Sequence, residues 1–136
     1  MAKSDTFLKF GKDTEAMYAE INDRAFAGKL ESIHLFMLAV SFGFSSGRRE
    51  RDFTRASTGP RTNIKEEHLA MLSSIHMAVS DVSSLTDQAE RDRVSEEFAQ
   101  GGIRLLHEKL LDPNVSFISW LVSEMRNGAD ARSASE

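Results

Sequence analysis

Five arginines fall within one short stretch: Arg48, Arg49, Arg51, Arg55 and Arg61. Only Glu50 and Asp52 oppose them there, and no lysine is among the cations. A guanidinium presents a planar fork of donors that grips phosphate or carboxylate bidentately, which an ammonium does not. The chemistry on offer is therefore recognition of an anion. Two readings fit. In one, the loop touches nucleic acid or an acidic protein surface. In the other, the arginines lock the loop onto the acidic segment Glu90–Glu97 of the same chain. The chain as a whole carries a formal charge of −4, so a nucleic-acid contact would be a local patch whose affinity falls steeply with salt.

Other chemistry is poorly supplied. His34, His68, His76 and His107 are the histidines, and none forms the HExxH pair of zinc hydrolases. His68 and His76 stand roughly two helical turns apart, too far to chelate together. His34 sits among apolar residues and reads as a buried, hydrogen-bonded imidazole. Neither a metal nor a cofactor is expected. Glu66, Glu67, Asp87, Glu90, Asp92, Glu96 and Glu97 have the spacing of solvated helix faces rather than of a converging acid–base pair. No nucleophile elbow, phosphate loop or dinucleotide fingerprint is present, so no catalytic residue is assigned. The absence of cysteine removes disulfides, thiolate zinc sites and thiol nucleophiles, and fits a reducing compartment.

The elements that must position the arginines are helical. Ser32 to Phe42, as N-cap and body, forms an almost wholly apolar helix, and Gly43 is expected to close it. A helix apolar on every side belongs in a core, so this one is placed at the centre of the fold. It would hold Arg48 and Arg49 rigidly at its end. Residues 45–61 lack periodicity and read as a long loop, a feature that tends to be functional or disordered. Before it, Thr6–Phe10 suggests a short strand closed by Gly11, and Asp13 is a candidate N-cap for a helix running to about Phe26. After it, Asn63 and Glu66 fit a capping box for a helix with Leu69, Leu72, Ile75 and Val79 on one stripe. Thr86 is a candidate cap for a charged helix to Gln100, with Val94 and Phe98 as its narrow inner face. Gly101-Gly102 is expected to break it. Ile103, Leu106 and Leu110 mark a further helix, stopped by Asp112-Pro113. A last helix carries Phe117, Trp120 and Leu121 and is expected to end at Asn127-Gly128. The order strand, helix, helix at the start is also that of a ribbon–helix–helix, although Phe7, Leu8 and Phe10 are too apolar for a groove-reading ribbon.

The fold expected is mainly α: one compact bundle of five to six helices over residues 1–128, with room for one short N-terminal strand, and a flexible tail over 129–136. The chain, at 136 residues, is long enough for one self-sufficient core. Its start lacks the apolar stretch of a signal peptide, and its apolar run is shorter than the roughly 20 residues a bilayer demands. A cytoplasmic homo-oligomer without membrane contact is expected.

Three segments resemble a family of small proteins encoded beside DNA-phosphorothioation (Dnd-type) modification and restriction genes. They are Phe36–Val40 with Gly43-Phe44 and Gly47-Arg48-Arg49, the acidic first helix with its strand-like start, and Phe98-Ala99-Gln100-Gly101-Gly102-Ile103 with Leu106. Gln100 stands where the family pattern has Asn. The resemblance implies an accessory role in defence against foreign DNA and supplies no reaction. Together these readings give a non-enzymatic accessory that contacts DNA or a partner subunit through Arg48, Arg49, Arg51, Arg55 and Arg61. The alternative is a helical protein-interaction adaptor, or a small transcriptional or antitoxin-like regulator.

Overall fold

The helical periodicity of the sequence becomes five helices: α1 (Glu15–Phe26), α2 (Ser32–Ser46), α3 (Glu66–Val79), α4 (Gln88–Leu111) and α5 (Phe117–Ala134). They are seen in a computed structural model that describes residues 8–60, 64–80 and 87–134, with only the helical backbone given for 128–134. The protein is a mainly helical, single bundle in which α2 packs against α4 along its length. None of its helices is long and apolar enough to cross a membrane, among the described residues.

Among the described residues, the part of the expected N-terminal strand from Leu8 to Phe10 forms no strand. Among the described residues the only β pairing is an isolated antiparallel bridge between Gly11 and Arg55. Hydrogen bonds extend it: Phe10 N–H to Thr58 O at 3.0 Å, Ala56 N–H to Phe10 O at 2.8 Å, and Lys12 N–H to Thr54 O at 2.7 Å. Thr6 and Phe7 of the expected strand lie outside the described residues, as do the expected caps Asn63 and Thr86. The observed caps are Thr14 for α1, Lys65 for α3 and Asp87 for α4, where the Asp87 carboxylate accepts from the Glu90 N–H.

Glycines expected to end helices instead bring helices together. α2 runs on past Gly43 to Ser46, and Gly47 ends it in the left-handed conformation at φ 72°. Arg48 N–H then bonds Gly43 O at 2.8 Å, fixing the exit direction of the chain. α4 likewise continues through Gly101-Gly102 as one helix. A methyl group on Gly102 would fall 1.7 Å from the Ala39 carbonyl oxygen, and one on Gly43 1.9 Å from the Phe98 carbonyl oxygen. Hydrogen alone fits at either place, so the two backbones approach as closely as the chain allows.

The core gathers Leu8, Ile21, Ile33, Leu35, Phe36, Val40, Leu72, Val94, Ile103 and Leu106, all essentially without exposure. Each such side chain contributes about 1.5–3 kcal/mol when buried. The helix surrounded on every side is α4 rather than α2. All residues from Val94 to Ile103 are buried, including Glu96, Glu97 and Gln100. The charge pattern that suggested a solvated face is wrapped by other segments.

Candidate functional site: the arginine strap on the central helix

The segment after α2 crosses α4 as a strap, because Gly47 and the Arg48–Gly43 bond turn the chain towards it. Glu50 N–H donates to the Glu97 carbonyl oxygen at 3.0 Å. The Arg48 carbonyl oxygen lies against Gly101, where a Cβ would stand 2.2 Å away. Thus the glycine pair of α4 receives α2 on one side and the strap on the other.

Once the strap lies there, its arginines meet the carboxylates of α4. Arg55 grips Glu96 with Nε to Oε1 and Nη2 to Oε2, both at 2.8 Å. Lys9 N–H adds a third donor to Glu96 Oε2 at 3.0 Å. The Glu96 side chain is 3% exposed, and that of Arg55 is 51% exposed. Burial pushes the Glu96 carboxyl above the usual range, with the hydrogen bond from Arg55 acting against it. Glu97 takes Arg49 Nε at 2.7 Å and Arg93 Nη1 at 2.8 Å. The Arg49 guanidinium also sits 5.3 Å from the centre of the Phe98 ring. Arg48 reaches Glu108 at 3.2 Å, with both side chains largely exposed.

A second polar cluster gathers around Glu50, between the anchors Arg49 and Arg55. Arg104 holds Glu50 through Nε at 2.7 Å and Nη2 at 3.0 Å, and also contacts Asp13. Gln100 is buried between them. It accepts from Thr14 Oγ1 at 2.9 Å and donates to Asp13 Oδ1 at 2.8 Å and Glu50 Oε1 at 3.3 Å. Slight burial raises the Asp13 carboxyl, but hydrogen bonds from Arg104 and Gln100 more than offset this and hold it below the usual range.

Of the five arginines singled out in the sequence, the structure brings Arg48, Arg49 and Arg55 onto α4. Arg51 is exposed and, among the described residues, joins no ion pair. Arg61 lies outside the described residues. The arrangement can clamp the chain to itself through buried charge. It can also present the exposed parts of Arg48, Arg51 and Arg55 to an anion.

Three residues of the array escaped the sequence reading: Gln100, Arg104 and Asp13 as a linker rather than a cap. Their signal was the polar run Glu96-Glu97-x-x-Gln100 placed directly before two glycines, a helix position where close approach buries whatever neighbours it. The histidines also differ from expectation. His34 is half-exposed beside Glu31 and edge-on to His68 at 5.7 Å, whereas His76 is the buried one. His107 pairs with Glu20 at 2.7 Å, and His107 and Arg24 together hold the Glu20 carboxyl below its usual range. No three ligand-type side chains converge to hold a metal ion, among the described residues. Comparison of the chain with known family models, with curated proteins and with solved structures finds no match in any of the three.

Proposed function

We propose that the protein is a non-enzymatic, homo-oligomeric accessory of a DNA-modification or restriction system, and that it works by protein contact as a helical adaptor. The strap arginines serve first as an internal clamp. One observation carries this reading: Arg48, Arg49 and Arg55 already hold carboxylates of α4, and two of those carboxylates are buried. Drawing Arg55 or Arg49 away to a phosphate would leave buried Glu96 with the Lys9 amide or buried Glu97 with Arg93 alone, which costs about 1–3 kcal/mol. A phosphate contact on a flexible exposed loop would carry no such cost. The class of system rests on the resemblance of Phe36–Val40, Gly43-Phe44 and Gly47–Arg49 to the Dnd-associated family.

The test is a mobility-shift assay on duplex and single-stranded DNA, with and without phosphorothioate links, at two salt concentrations. It is paired with co-purification of the co-expressed subunits of the modification system. The expected result is a stoichiometric protein complex that survives high salt, and no shift of DNA. Salt-sensitive DNA binding that disappears in the Arg48→Glu, Arg51→Glu double variant would overturn the adaptor reading.

A second reading keeps a DNA contact, and the exposure of Arg51 beside half-exposed Arg48 and Arg55 favours it. It requires a salt dependence of about 0.9 logarithmic units per phosphate engaged.

A further inference from the structure

Glu15, Tyr18, Ala19 and Asn22 stand at i, i+3, i+4 and i+7, so they share one face of α1. That face lines a cavity of about 320 Å³, which Phe10 and Leu35 also line. The volume is at the small end of the roughly 300–1,000 Å³ of ligand pockets. One wall is aromatic, the Phe10 and Tyr18 rings stacking at 4.2 Å. Ala19 is the small residue of the face and leaves the space open. The Asn22 amide donates to the Leu30 carbonyl oxygen at 2.8 Å and accepts from the Leu30 N–H at 3.0 Å, which fixes the rim.

Three polar groups on this cavity have hydrogen-bonding capacity to spare. The Tyr18 hydroxyl bonds to no described residue, although Tyr18 is only 6% exposed. Among the described residues no polar side-chain atom is sealed off without a partner, so this hydroxyl stays open to the cavity. Burial, and the charge of Glu96, push it well above the usual tyrosine range and keep it a neutral donor. The Ser32 hydroxyl has no described partner either. Glu15 spends one carboxylate oxygen on Thr58 and keeps the other. A second hollow shares Ala19 and Asn22 and adds Glu20, Asp23 and Gly28. Among the described residues, no lysine or arginine lines either hollow. His107 and Arg24 already meet Glu20. Glu15 and Asp23 face no described cation. The start of α2 offers only the half unit of positive charge, roughly, of a helix N-terminus, and two unmatched carboxylates outweigh it.

We propose that this cavity binds a small organic amine with a compact apolar body and a hydroxyl group. The body lies against Phe10, Tyr18 and Leu35. The ammonium meets the free oxygen of Glu15, and the ligand hydroxyl accepts from Tyr18. Asp23, two helical turns further on and roughly 12 Å away along the axis, adds to the field that draws a cation in. An apolar hollow with a few converging polar groups is the usual make-up of a ligand site. The inference goes beyond the adaptor reading and is independent of it, since none of the strap arginines lines the cavity.

The experiment is a titration of the full chain with tyramine at neutral pH, followed by amide chemical shifts. Phenethylamine, which lacks the hydroxyl, and 4-hydroxyphenylacetate, which replaces the amine by a carboxylate, are run beside it. The expected result is saturable binding of tyramine with a Kd of about 1 mM, as suits a ligand of about ten non-hydrogen atoms. The shifts should centre on Tyr18, Ala19 and Ser32. Phenethylamine should bind about threefold more weakly, and the acid at least about tenfold more weakly. Tyr18→Phe should erase the difference between the two amines, and Glu15→Gln should erase most of the preference for amine over acid. Ala19 is exposed, so Ala19→Trp should fill the cavity and abolish the shifts with an unchanged circular-dichroism spectrum. No saturable binding of tyramine, an acid that binds as tightly as the amine, or binding indifferent to both Ala19→Trp and Glu15→Gln would overturn the proposal.

Discussion

Helices α4 and α5 invert what their residues suggest. α4 is rich in charge and has the composition of a surface helix, yet its middle is enclosed on all sides. α5 carries phenylalanine, tryptophan and a row of aliphatic residues, yet beyond Leu121 its side chains face solvent up to Asn127. The difference teaches that placement in this chain follows backbone approach more than side-chain polarity. Gly43, Gly101 and Gly102 allow α2 and the strap to lie against α4 at distances no Cβ would permit. That approach forces Glu96 and Glu97 inside, and their burial then demands Arg55, Arg49 and the Lys9 amide as partners. α5 has no glycine-lined counterpart among the described residues, so it stays at the edge with only an aromatic anchor.

The contrast can be broken most severely at its glycines. Gly102→Ala places a methyl group on the Ala39 carbonyl oxygen, and neither backbone can yield cheaply. A loss of about 3 kcal/mol or more is expected, seen as a fall in melting temperature of roughly 10 °C. Gly128→Ala in α5 should instead raise helicity slightly, as propensity alone dictates, by about 0.5–1 kcal/mol. If both substitutions act alike, the special status of α4 is wrong.

The carboxylates come next. Glu97→Ala leaves Arg49 largely buried without its partner and should cost about 3 kcal/mol in urea unfolding. Glu124→Ala on α5 should stay within about 0.5 kcal/mol.

A smaller effect sharpens the comparison through pH. The folded state raises the carboxyl of Glu96, so its contribution to stability is present below the ordinary glutamate range and is lost as pH rises through the raised value. Relative to wild type, Glu96→Gln should therefore look progressively better as pH rises from about 4 to 7. Asp13 is lowered in the folded state, so its contribution is present above the ordinary range and is lost on acidification. Asp13→Asn should look progressively worse only as pH rises towards about 4, and should run parallel to wild type above that. Melting curves of the three proteins from about pH 3 to 7 decide it, and a Glu96→Gln profile parallel to wild type above about pH 4 would contradict the burial of Glu96. The smallest effect is expected from Ile118→Ser in α5, within about 0.5 kcal/mol of wild-type stability in dilute solution.

The helical class was legible because periodicity and sparse proline leave little else, and the core stripe Leu72, Ile75, Val94, Phe98, Ile103 and Leu106 follows from that spacing. The glycines were not. A glycine that ends a helix and one that admits a neighbouring carbonyl are the same letter, and only the opposite backbone distinguishes Gly47 from Gly43. The cationic loop was visible as a charge cluster, and so was the acidic segment that receives it. Which arginine meets which glutamate depends on the crossing of strap and helix, a long-range fact with no local signature. His34 misled for a related reason: apolar neighbours in sequence do not share its side of α2.

The wrapping of α4 has a consequence in time. Its buried carboxylate takes a donor from Lys9, 87 residues earlier in the chain, and its glutamine reaches Asp13 across the same separation. A helical bundle assembled from neighbours closes in microseconds to milliseconds, and loop-closure entropy slows any chain whose centre needs distant partners. α4 is made late in synthesis, and the segments that neutralise its middle are made early and must wait for it. Refolding of this protein should accordingly be slow for its helix content, with the strap and the N-terminal segment locking down in the final step.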